Sequence, residues 1–160
     1  MKAVTLKELK AELSHCSNAE LIELLLRLSK FKKENKELLS YLLFESSNEE
    51  GYISRIKAEM DEQFDMVNTK NYQFIKKGIR KILRWLKVQI RYSKNKETEV
   101  ELLLHFCIKM NDFNPSILTL HPVIQNIYNR EINAVKKKIL LLHEDLQYDF
   151  NVELTKIMEK

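Results

Sequence analysis

The chain has 160 residues, with 27 Lys and Arg against 23 Asp and Glu, a net charge of +4, and two each of Gly, Pro and Cys. That length suits one domain that buries its own core, and two cysteines exclude a disulfide framework, so a reducing, cytoplasmic setting is expected. The scarcity of turn residues among so many Leu, Ile, Lys and Glu excludes a strand-rich fold and predicts an all-α protein.

At the N-terminus, Lys2, Lys7, Glu8, Lys10 and Glu12 stand where a signal peptide would carry an apolar run. No apolar run in the chain exceeds four residues, so no membrane span is expected either. Thr5…Glu8 and Ser17…Glu20 have the form of capping boxes, in which the hydroxyl accepts from a backbone N–H three residues on and the Glu reaches back. They predict helices over 5–14 and 17–31. Asn35 is read as the start of a helix reaching Glu45, ahead of the polar run Ser46-Ser47-Asn48. Gly51 opens the next helix, on which Ile53, Ile56, Met60 and Phe64 recur every three or four residues. A helix over 72–92 follows, then one over 98–110 opened by Thr98…Glu101. After the break at 112–115, a helical region over 117–143 carries Pro122 in its first turn or at a kink. A last helix, 145–158, bears Leu146, Phe150, Leu154 and Ile157.

At an offset of 64 residues, "RLSKFKKENKELLSYLL" (27–43) lies on "RYSKNKETEVELLLHFC" (91–107) without a gap, with seven identities. The register continues, Ile53 meeting Ile117, Ile56 Leu120, Met60 Ile124 and Phe64 Tyr128. The expectation is a single domain, 1–160, of seven or eight helices forming a short α-solenoid or a compact bundle. An internal duplication would give repeat units at about 17–66 and 81–130.

The segments "LKELKAEL…AELIELLLRLSKFKKENKELLSYLL" and "KETEVELLLHF" resemble an uncharacterised family of small all-helical bacterial proteins. The resemblance spans most of the chain and implies no activity, cofactor or catalytic residue. In fold alone the units are similar to HEAT-type repeats.

The densest feature is "KKGIRKILRWLKVQIRYSKNK" (76–96), with nine cations and no acid; against a net +4, the rest of the chain carries −5. On a helical wheel, Ile75, Ile79, Ile82, Leu83, Leu86 and Ile90 gather on one side. Lys76, Lys77, Arg80, Lys81, Arg84, Lys87 and Arg91 fill an arc of about 140° opposite. Either acids from neighbouring helices compensate this ridge, Glu97–Glu101 and Glu59–Asp65 being candidates, or an external anion does. Phe74, Trp85 and Tyr92 share one flank and are candidates for packing or for stacking on bases. Gly78 on that flank predicts close approach of another helix. With Lys94 and Lys96, and with Lys30, Lys32 and Lys33 of the repeated loop, the ridge would become a continuous positive strip.

Catalytic and metal chemistry find little footing. His105 and Cys107 point apart on one helix, as do His15 and Cys16, and "HEDLQYD" (143–149) supplies His143, Asp145 and Asp149 without a partner set. No cofactor is expected. The reading is a non-enzymatic helical-repeat protein acting as a macromolecular interaction module, with a protein partner first. The alternative is nucleic acid bound through the basic face of 76–91. A second alternative is a homodimer, formed through the Trp85 flank or the apolar C-terminal "FNVELTKIM" (150–158).

Overall fold

The computed structural model describes residues 2–119 and 121–159. Among them no strand occurs, and the order is α1 (Leu6–Leu13), α2 (Asn18–Phe31), α3 (Lys33–Ser40), a π-helical turn (Tyr41–Glu45), α4 (Glu49–Asp65), α5 (Tyr72–Ser93), α6 (Lys96–Asn111), α7 (Pro122–Ile139) and α8 (Glu144–Met158). The all-α class and the eight helices are those the sequence predicts.

Local chemistry sets most of the boundaries. Thr5 and Ser17 each accept from the backbone N–H three residues on while Glu8 and Glu20 reach back, so both expected capping boxes form. The third does not: α6 starts two residues before Thr98, because the Asn95 side chain accepts from Glu97 N–H and takes the cap. Thr98 is buried, and its hydroxyl donates to Glu49 of α4 instead. The helix expected from Asn35 starts at Lys33, and the Asn35 amide donates to the Leu28 carbonyl, tying α3 to the end of α2. Pro122 occupies the first turn of α7, where its missing N–H costs nothing. The region before it, 112–119, lies outside any helix, although Ile117 is fully buried there. Leu120, matched to Ile56 in the offset-64 register, lies outside the described residues. The loop shared by the two halves is built differently in each. Lys32 alone separates α2 from α3, in extended conformation, whereas Lys94 turns left-handed at φ 56° ahead of Asn95.

The contacts divide the chain into two compact units, Met1–Phe44 and Glu45–Lys160. In the larger, α6 packs against α4, α5, α7 and α8. Leu102, Leu104, Phe106, Cys107 and Met110 are sealed within it, and the Phe106 ring meets Phe64 of α4 at 5.6 Å. The Tyr52 hydroxyl donates to the Gln89 carbonyl at 3.0 Å, a buried bond joining α4 to α5. Phe150, Leu154 and Ile157 of the C-terminal segment are buried on α8, which packs on α6 and α7, whereas Val152 and Met158 are exposed.

In the smaller unit α2 packs against α3, but no residue of α1, α2 or α3 is buried. Apart from half-buried Leu21 and Leu39, its leucines are exposed.

Candidate interaction surface on the basic helix

α5 is capped by Asn71, whose side chain accepts from Phe74 N–H, and runs for 22 residues. Ile75, Ile79, Ile82, Leu83, Leu86 and Ile90 are all buried, which fixes the rotation of the helix and turns the opposite arc outward. Lys77, Arg80, Lys81, Arg84, Lys87, Arg91, Lys94 and Lys96 are exposed, and Lys76 is half-buried with its ammonium 5.3 Å from the Tyr72 ring centre. Lys30, Lys32 and Lys33 are exposed at the α2–α3 junction of the smaller unit, where Lys33 pairs with Glu37 at 3.1 Å.

Of the acids expected to compensate the ridge, three are engaged elsewhere, and Glu59, Glu62, Asp65 and Glu97 pair with no ridge cation among the described residues. Glu99 meets Lys138 of α7 at 2.8 Å and Glu101 meets Lys57 of α4 at 2.6 Å. Asp61 lies 2.7 Å from His105 and 3.5 Å from Lys109. These pairs hold α6 to its neighbours. Lys87 is the one ridge cation joined to a carboxylate among the described residues: its Nζ lies 3.0 Å from Glu131 of α7. Arg80, Arg84 and Arg91 face water without an ionic partner among those residues. Seven cations on one arc repel one another, and nothing in their own helix offsets the repulsion.

Glu131 and Arg130 escape the sequence reading of the site. The Glu131 side chain is only 2 % exposed, and the same oxygen that meets Lys87 also accepts from Arg130 Nε at 2.9 Å. A signal for it exists, since Glu131 interrupts the apolar stripe Ile124, Ile127, Val135 on α7, and an acid there must find a buried partner. Through this carboxylate, Arg130 joins the positive surface.

The aromatic flank separates into three environments: Phe74 is exposed, Trp85 half-buried and Tyr92 buried. A run of rings ready for base stacking is therefore absent. Gly78 does permit a close approach, but by the segment after α4 and not by another helix. A Cβ on Gly78 would stand 3.0 Å from one Val67 methyl and 3.1 Å from the other. Beside it opens a cleft of about 290 Å³ lined by Met66, Val67, Phe74, Lys77, Gly78 and Lys81. Apolar side chains form its body and two ridge lysines border it.

The remaining candidates are placed apart. Cys107 lies in the core, where burial first and the Glu131 charge second push its thiol up to about 12, far from a nucleophile at neutral pH. His105 faces Asp61; His143 Nδ1 accepts from the backbone N–H of exposed Asp145, capping α8. His15 Nδ1 lies 2.8 Å from the Ala11 carbonyl, inside α1's last turn. Among the described residues no three His, Cys, Asp or Glu side chains converge.

The chain matches no family model, no curated protein and no solved structure. Residue roles therefore rest on geometry.

Proposed function

We propose that the chain is a non-enzymatic helical interaction module that binds a protein partner through an acidic segment carrying apolar side chains. That segment lies along the outward face of α5, with its apolar residues in the cleft beside Phe74. One observation carries the reading: among the described residues no carboxylate reaches Arg80, Arg84 or Arg91, and Glu101, Glu99 and Asp61 are spent on Lys57, Lys138 and His105. Arginine suits the role, since its planar fork accepts carboxylates in pairs. The cleft favours protein over nucleic acid, because Met66 and Phe74 offer apolar contact where phosphates have no use for it. Two free cysteines suit a reducing cytoplasm.

A second reading, contact with a nucleic-acid backbone, is favoured by the length of the ridge. Lys76 to Arg91 spans about 22 Å at 1.5 Å per residue, enough for several successive phosphates.

Fluorescence anisotropy separates the two, using a labelled Glu/Phe-rich peptide and a labelled oligonucleotide, each at two salt concentrations. The peptide is expected to bind. Replacing Arg80, Arg84 and Arg91 together by Glu abolishes binding with helical content unchanged by circular dichroism. Phe74→Ser weakens the peptide about tenfold and leaves the oligonucleotide unmoved. Tighter oligonucleotide binding, steeply salt-dependent and indifferent to Phe74, selects the second reading; no binding of either at low salt removes both.

A further inference from the structure

The half-exposed flank of α5 has a periodicity of its own. Steps of four and then three residues from Phe74 lead to Gly78, Lys81, Trp85 and Val88. That alternation is the 3.5-residue repeat by which one helix seats another along a seam. Phe74 is exposed, Gly78, Trp85 and Val88 are half-buried, and Tyr92, next in step, is buried and ends the strip. At Gly78 the Val67 methyls stand where a side chain would, and Met66, 74 % exposed, lines the same cleft. Lys81 alone is charged, and its four-carbon stem can lie on the strip while its ammonium stays in water.

A file of cations borders this strip at a fixed interval. Phe74, Lys81 and Val88 are each followed three residues later by a cation, Lys77, Arg84 and Arg91, about 60° away on the wheel. All three cations are exposed, and none has an ionic partner among the described residues. Seven residues separate each from the next, about 10.5 Å along the axis. Charges placed so beside an apolar seam select which helix can pair with it. Their sign is the same throughout, so a second α5 laid alongside would set cation against cation.

The interval also chooses between two shapes of acidic segment. In a helix, acids seven residues apart repeat about every 10.5 Å on one side and meet all three cations. In an extended chain three residues cover about 10 Å, but the third side chain points to the opposite face. Acids over Lys77 and Arg91 would then leave the one between them turned away from Arg84. We propose that the acidic segment bound by α5 is itself an α-helix, an assignment that rests on α5 being the face that binds protein. Its apolar residues, in the same 3.5-residue repeat, pack over Phe74, Trp85 and Val88. Its acids, one per heptad, meet Lys77, Arg84 and Arg91.

Three labelled peptides of about three heptads each, titrated against the full chain by fluorescence anisotropy, test this. The first carries leucines in the 3.5-residue repeat with one Glu per heptad beside them. The second moves each Glu to the side opposite the leucines. The third keeps the order of the first but exchanges two central outer residues for Pro, which breaks the helix. The first should bind at least about tenfold more tightly than either of the others and gain helical ellipticity on binding. Arg84→Glu should weaken it about tenfold, and replacing the peptide's central Glu by Arg should recover the loss. Equal affinity for the first and third peptides overturns the helical partner while leaving α5 as a binding face. So does equal affinity for the first and second, or an affinity that ignores Arg84→Glu. Binding of none of the three removes α5 as a protein-binding face, and the helical partner with it.

Discussion

α2 and α5 occupy related places in the sequence, overlapping at the offset of 64 residues, and both start from a side-chain cap. Their surfaces are opposites. α5 buries every large aliphatic residue of its inward side except Val88, which is half-buried, and shows water a row of cations. α2 buries nothing and shows water leucines. The difference lies in how wide the apolar arc is. About 140° of cations leaves α5 a face that one set of neighbours can cover, whereas about 240° of apolar surface leaves α2 no orientation in which a single neighbour suffices. A charged face and an apolar face are both means of association. They differ in force: the first is screened by salt and selects by sign, the second is insensitive to salt and selects by shape.

The sharpest way to break this contrast is to truncate one residue in each region. Phe106 is fully enclosed against Phe64, so Phe106→Ala is expected to cost about 3–5 kcal/mol in urea unfolding. Leu26→Ala in the smaller unit should cost less than about 0.5 kcal/mol in dilute protein, where its side chain already meets water. Comparable costs at the two sites would mean that Leu26 is covered in the dilute chain.

Second in size is the carboxylate that joins α5 to α7. Lys87→Met leaves Glu131, with its side chain 2 % exposed, to Arg130 alone and is expected to cost about 1–3 kcal/mol. The midpoint of urea unfolding reports it. A loss below about 0.5 kcal/mol would show that Arg130 satisfies the carboxylate unaided and that Lys87 belongs with the free cations of the ridge.

Features decided within a few residues were legible in the sequence. The boxes at Thr5 and Ser17 close over four residues, so nothing distant competes for them. The ridge on α5 was legible because the 3.6-residue period alone assigns its faces. Thr98 misled because the rival for its hydroxyl, Glu49, lies 49 residues away and a neighbouring Asn took the cap. The fate of the ridge's charges was hidden for the same reason. Lys57–Glu101, His105–Asp61 and Lys87–Glu131 each join residues 44 apart, so whether an acid is available to the ridge depends on packing and not on proximity along the chain. The boundary at Phe44 left no trace, since Leu, Lys and Glu run through it on both sides and burial, not composition, separates the units.

The smallest effect concerns the ends of α1 and α2 and sharpens the contrast from the other side, since these helices depend on caps where the larger unit depends on a core. Glu8 is held below the usual glutamate value of 4.5 by its bond to the Thr5 side chain and then by the Thr5 backbone; for Glu20 the Ser17 backbone leads and the hydroxyl follows. A carboxyl depressed in the folded state contributes stability that is full above its unfolded value and is lost as pH falls through the folded one. Helical signal from the smaller unit should therefore decline as the pH drops below 4.5, ahead of the loss of the Phe106 core. Carboxyl titrations followed by NMR should place Glu8 and Glu20 below the other exposed glutamates. Thr5→Ala and Ser17→Ala should each return the matching Glu to its ordinary value and leave the other unchanged. Ordinary titration of both carboxyls in the unaltered chain would show the boxes open in water.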